Sequence, residues 1–317
     1  MVYPLGMNLL RAWHIVIVAL VLIVGPVLFT QLFPAEIRRY NGVILDETVY
    51  TDVRFGNTAQ GLTLGGMLFV PDGDGPFPAA VVIHGSGTSS RQNRWYLTLT
   101  KYLQDNGIVV LLPDKRGSEK SEGSWRTSSF EDLATDTLAA IEFLKTQQDV
   151  PLTSVGIIGM SQGGWVAPIV ASKSSDVDSV VSMVGSAVTP ADQLIYEENH
   201  NLRQMGFLPG ISNVIALAST AYIRNVAQTE FWNRVANYDP VPYWQEVNVP
   251  ALALYGADDT NVPSKESAKR LSALGKPNLH IEVYEGSGHA LQDPVGRGNS
   301  IIRAEALAAI RSTIKLD

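Results

Sequence analysis

No cysteine occurs anywhere in the chain. Disulfides are thereby excluded, while the compartment stays open, because a cysteine-free chain is compatible with any of them. Histidine is scarce as well. The five, His14, His84, His200, His280 and His289, are scattered, and the adjacent carboxylates Asp258-Asp259 have no histidine near them. Neither pattern is a zinc arrangement, so no metal site is expected. A G-x-G-x-x-G turn after a strand is also missing. His84-Gly85-Ser86-Gly87 is too short a match for a dinucleotide loop, and no cofactor is expected. Positive charge is in deficit: 24 Lys+Arg against 31 Asp+Glu leave a net charge of −7, which argues against a nucleic-acid partner. Internal repeats and low-complexity tracts are absent. The one run of charge, Lys115-Arg116 through Glu122, reads as a solvated loop.

What is present points to one globular domain with an N-terminal extension. Apolar strand-like runs alternate with amphipathic helical ones over 79–83, 94–106, 108–112, 129–146, 155–160, 164–173 and 178–184. Such alternation predicts an α/β fold, a mostly parallel sheet with helices on both faces. Ser129 begins one of the helices, with Asp132 as capping partner and Leu133, Leu138, Ile141 and Leu144 spaced along one face. Residues 186–248 show no convincing strand but several helical stretches, broken at Pro190, Pro209, Pro240 and Pro242. They read as a helical lid inserted over the carboxyl edge of the sheet.

The first 40 residues form a separate unit, an anchor and linker ahead of a domain spanning 41–317. Trp13 to Phe33 admits only His14, Thr30 and Gln31 as polar members. These 21 residues span about 31 Å as a helix, enough to cross a bilayer. A cleaved secretory signal is the competing reading, but the region of Pro34-Ala35 lacks small residues at both required positions. An uncleaved single-pass membrane anchor is therefore expected. Arg11 on one side and Arg38-Arg39 on the other leave its orientation undetermined; an external or periplasmic domain is the expectation.

The chemistry centres on Gly159-Met160-Ser161-Gln162-Gly163, which follows the apolar run Val155-Gly156-Ile157-Ile158 and precedes the helical run from Gly164. A G-x-S-x-G between strand and helix is a nucleophile elbow, a strained turn that raises the serine hydroxyl above the sheet edge. A serine alcohol needs a base, and the base needs an orienting group. His289 suits the base, because Glu285-Gly286-Ser287-Gly288-His289 is a glycine-rich loop directly after the strand Leu279–Tyr284. His84 suits an oxyanion loop better. The acid falls after the strand Ala251–Tyr255, where Asp258 and Asp259 compete; the spacing G-x-x-D-x-x-V-P favours Asp259. The oxyanion donors are expected to be the N–H of Gln162 and that of Ser86, with Gly85 as the alternative to Ser86.

These segments resemble the α/β-hydrolases, in particular the dienelactone hydrolase or serine aminopeptidase-like branch. The likeness rests on HGSG at 84–87, PDKRGSEKSEG at 113–123, GMSQGG at 159–164, GADDTNVP at 256–263 and GSGH at 286–289, with the early strand pair around Gly61–Pro71. It covers roughly residues 44–315, and 186–248 is its least familiar part. One departure is Glu119, where this loop often carries another glycine. The resemblance implies a cofactor-free serine esterase acting through an acyl-enzyme on a small-molecule ester or acyl substrate. It is weak on substrate: a peptidase or amidase, a thioesterase or an acyltransferase shares the scaffold, and a non-catalytic membrane-tethered binding protein is the reading from another class. Tyr196, Met205, Phe207, Leu208, Phe231, Trp232 and Trp244 supply enough apolar surface either to line an acyl pocket or to glue the lid to the sheet.

Overall fold

The computed structural model describes residues 38–316. Eight strands form one sheet: β1 (Thr51–Asn57), β2 (Leu62–Phe69), β3 (Phe77–Ile83), β4 (Val109–Pro113), β5 (Leu152–Met160), β6 (Ser179–Met183), β7 (Ala251–Gly256) and β8 (Leu279–Tyr284). Their order is β1-β2-β4-β3-β5-β6-β7-β8. β1 and β2 pair antiparallel, as do β2 and β4, and every later pairing is parallel. The interior strands β6 and β7 are buried along their whole length, which is why they read as near-continuous apolar runs. β8, at the edge, is only partly buried and alternates apolar with polar residues.

Helices cover both faces. α1 (Arg94–Asp105) and α9 (Ala304–Lys315) bury Leu97, Leu103, Ile310 and Ile314 against one face. α2 (Phe130–Lys145), α3 (Gly163–Lys173) and α8 (Ser264–Ser272) cover the other, where the Phe130 and Trp165 rings stack at 5.3 Å. The cap at Ser129 forms as its sequence predicts: its hydroxyl accepts from the Asp132 N–H, and the Asp132 carboxylate accepts from the Ser129 N–H. Between β6 and β7 the chain leaves the sheet as α4 (Pro190–Gln204), α5 (Pro209–Tyr222), α6 (Thr229–Val235) and α7 (Val241–Glu246). α4 and α5 each open on a proline, the position where a missing N–H costs nothing.

The apolar segment Trp13–Phe33 lies outside the described residues, and among the described residues no helix is long and apolar enough to cross a membrane. The charged run after β4 is solvated at Glu119, Lys120 and Glu122 and buried at its start. Lys115 and Arg116 are buried, and Arg116 is paired with Asp136 at 2.6 Å. Asp114 accepts from Arg91. A sequence window sees only a cluster of charges, whereas the fold supplies each one with partners from distant segments.

Candidate active site

Ser161 sits where β5 turns into α3, with φ of 53°, in the left-handed region that a serine occupies only under constraint. The two motif glycines explain how the turn is held. A Cβ on Gly159 would collide with the Gly163 carbonyl, and a Cβ on Gly163 with the Ile83 carbonyl. Strand and helix therefore close to a distance that no side chain tolerates. The Ser161 N–H donates to the Met183 carbonyl at 2.9 Å, which ties the turn to β6.

Three loops at the carboxyl edge of the sheet converge on this serine. From the loop after β8, His289 places Nε2 3.0 Å from the Ser161 Oγ. From the loop after β7, Asp259 places Oδ2 2.9 Å from the His289 Nδ1. The other Asp259 oxygen accepts the N–H groups of Asn261 (2.8 Å) and Val262 (3.0 Å), so the carboxylate is fixed at both ends. Its side chain is fully buried. Asp258, the competing carboxylate, is exposed. The His289 loop is steadied by Trp95, whose indole N–H donates to the Ala290 carbonyl at 3.0 Å.

The loop after β3 brings Ser86 beside the elbow. Neither the Ser86 N–H nor the Gln162 N–H finds an acceptor among the described residues. The Gly85 N–H, by contrast, donates to the Tyr96 hydroxyl at 2.7 Å. Gln162 also stands at the amino end of α3, where unpaired N–H groups and the helix dipole favour negative charge. His84 is buried and neutral, its ring pulled down to about 4 by desolvation, and its Nε2–H donates to the Pro113 carbonyl at 2.7 Å. Its bond to the Pro113 carbonyl ties the loop after β3 to the end of β4. His200 binds the Tyr196 carbonyl and His280 faces Glu282, both away from the site. His14 lies outside the described residues.

A cavity of about 220 Å³ is lined by Ser86 and Gln162 and walled by Trp125, Phe130, Trp165, Phe231 and Trp232. A more polar cleft of about 280 Å³ shares Ser86 and Glu197 with it and contains Ser161, His289 and Asn261. Of the seven apolar lid residues that could line a pocket or attach the lid, Phe231 and Trp232 line the cavity. Trp244 is in the core, Met205 and Leu208 are exposed, and the Tyr196 hydroxyl donates to the Asp259 carbonyl at 2.8 Å. Sequence reading missed Glu197, whose carboxyl is raised by burial and which accepts from the Asn261 amide at 3.0 Å. It also missed Lys115, whose ammonium reaches the loop after β3 at the Gly85 carbonyl and the elbow at the Gln162 Oε1. No local pattern marks either one.

A hydroxyl, an imidazole and a carboxylate in this line can move a proton from Oγ to Nε2 while the carboxylate steadies Nδ1–H. Among the described residues no His/Asp/Glu group could hold a metal ion.

Residues 138–299 match the family model described as BAAT / Acyl-CoA thioester hydrolase C terminal, and residues 64–205 match the Dienelactone hydrolase family. The chain is similar to Esterase EstD of Thermotoga maritima, 25% identical over 77% of this chain and 61% of that one. It is likewise similar to the Peroxisomal succinyl-coenzyme A thioesterase of Mus musculus, 25% identical over 72% of this chain and 52% of that one. This chain thus spans about half to three fifths of the length of these curated relatives. In three dimensions it resembles the Pyrococcus furiosus esterase Pf2001, with a TM-score of 0.62, 20% identity, and 89% and 98% of the two chains covered. At that identity the likeness speaks for the fold.

Proposed function

We propose, for a chain that belongs to the α/β-hydrolase superfamily in its dienelactone hydrolase branch, that it hydrolyses carboxylic esters through an acyl-enzyme on Ser161. The observation that carries this reading is the hydrogen-bonded line Asp259–His289–Ser161, which ends beside two unpaired N–H donors. In the proposed cycle the Ser161 Oγ attacks the ester carbonyl and His289 Nε2 takes its proton. The carbonyl oxygen becomes an oxyanion and accepts from Ser86 and Gln162. His289 returns the proton to the departing alcohol, leaving Ser161 acylated. Water, deprotonated by His289, then adds to the acyl-enzyme, and its collapse restores the serine. Asp259 keeps the Nδ1–H tautomer and stabilises the imidazolium.

The aromatic cavity suits a short or medium, uncharged acyl group, and the polar cleft suits the leaving alcohol. A thioesterase is the second reading, supported by the match to the thioester hydrolase model. The attack on the carbonyl is the same for both. The cleft lining contains Glu197 and no lysine or arginine, which favours a neutral leaving group over one bearing phosphates. Membrane attachment through Trp13–Phe33 rests on the length of that apolar segment, and a folded domain outside the cytoplasm on the usual cytoplasmic placement of the amino end of a first helix.

The test is labelling with a fluorophosphonate and mapping of the modified peptide, beside a series of p-nitrophenyl esters and the matching acyl-CoA thioesters. Stoichiometric label on Ser161, with turnover lost in Ser161→Ala at unchanged melting temperature, is the expected result. Turnover of the thioesters with esters left intact would move the assignment to thioesterase. A folded protein that takes no label would remove the hydrolase reading.

A further inference from the structure

Lys115 is buried at the end of β4, yet no carboxylate pairs with it among the described residues. The neighbouring acids are already engaged, Asp114 by Arg91 and Asp136 by Arg116. An unpaired buried cation is expensive, and burial pulls this one down to about 7. Its partners are three. Nζ donates to the Gly85 carbonyl at 2.7 Å and to the Gln162 Oε1 at 2.5 Å, and it lies 5.1 Å from the centre of the Trp125 ring.

The two acceptors belong to the two segments that carry the unpaired N–H groups. The Gly85 carbonyl and the Ser86 N–H are opposite ends of a single planar peptide unit, pointing in opposite directions. A bond to the carbonyl therefore sets the direction of the N–H. It also draws electron density from the amide and makes that N–H a stronger donor, by roughly 10–30% per bond in a cooperative chain. The bond to Gln162 fastens this peptide to the other donor residue. The backbone of the two loops is pinned separately: the Lys115 N–H donates to the Ser89 Oγ at 3.1 Å, and the Ser89 N–H to the Ser118 Oγ at 3.1 Å. Loop anchoring alone thus does not require the ammonium.

We infer that Lys115 is a positioning residue for the oxyanion hole, its ammonium orienting and polarising the Gly85–Ser86 peptide and coupling it to Gln162. The inference rests on the assignment of Ser86 and Gln162 as oxyanion donors. Negative charge on the substrate oxygen is larger in the transition state than in the ground state, so the contribution falls on kcat and leaves KM almost unchanged.

Lys115→Met in the full chain removes the charge and both donors at similar volume. Its kcat for a p-nitrophenyl ester should fall by about 10- to 100-fold with KM within about twofold. Affinity for a trifluoromethyl ketone bearing the same acyl group, which forms a tetrahedral oxyanion on Ser161, should fall by the same factor. Lys115→Gln, which keeps a donor without the charge, carries the same comparison should the methionine variant fail to fold by circular dichroism. A folded variant that retains kcat and ketone affinity within twofold, or whose loss appears in KM, overturns the inference. Wild-type protein that takes no fluorophosphonate would bring down the hydrolase reading and this inference together. A labelled wild type whose Lys115→Met and Lys115→Gln variants match it brings down this inference alone.

Discussion

The turn at Ser161 and the helices of the insertion meet across the same cleft and hold their shapes by different means. At the turn, backbone packs on backbone: Gly159 against Gly163, Gly163 against Ile83, and Gly164 against Gly185. Such contacts leave no room for adjustment, and they force Ser161 into its left-handed conformation. In the insertion, side chains make the attachment. Tyr238 donates to the Trp165 carbonyl, Tyr196 to the Asp259 carbonyl, and Arg270 pairs with Asp239. The outer face of α5 leaves Val214, Leu217 and Tyr222 more than half exposed, so only its inner side is constrained. Groups that must meet reacting atoms within tenths of an ångström belong on the first kind of support, and groups that select among substrates can sit on the second.

That contrast can be tested by how steeply each region responds to change. The largest effect is expected at the sheet edge. Asp259→Asn should lower kcat on the order of 10⁴-fold, because the amide no longer holds the Nδ1–H tautomer. Asp258→Asn should leave kcat within about twofold, and the reverse pattern in steady-state kinetics would reassign the acid. Next come two Gly→Ala substitutions read by thermal or chemical unfolding. Gly163→Ala should cost at least about 3 kcal/mol, since its Cβ meets fixed backbone. Gly210→Ala in α5 has open space around it and should stabilise by about 0.5–1 kcal/mol. Equal effects at the two glycines would erase the distinction between the regions. The smallest effect on rate belongs to the cavity wall. Phe231→Ala should raise kcat/KM for a longer acyl ester relative to acetate by about tenfold while leaving acetate turnover nearly intact. A uniform loss across the chain-length series would show that the insertion acts on the chemistry itself.

The parts that were legible differ in the range of their causes. The cap at Ser129 and the turn at Ser161 are local, each complete within a few residues, and the order of strand, small residues and helix specifies them. The loops carrying Asp259 and His289 are marked because each directly follows a strand pattern, an apolar run before Asp259 and an alternating one before His289. The bond from the Gly85 N–H to the Tyr96 hydroxyl joins residues 11 apart, and nothing in the loop itself announces it. Glu119, noted as a departure from the usual glycine, adopts φ of 50°, and its carboxylate accepts the Arg91 N–H. For the lid residues the sequence left pocket lining and lid attachment both open, since which face of a helix looks inward depends on what it packs against.

Residue order by itself determined the alternation of strand and helix, the elbow and the candidate set Ser161, Asp259 and His289, because strand burial, helix capping and tight turns are governed by neighbours along the chain. Tertiary structure alone decided the burial of Lys115, the place of Glu197 beside Asn261 and the aromatic cavity. The acceptors of Lys115 lie 30 and 47 residues away, and the interaction of a buried charge is set by distance through space, which the sequence does not record.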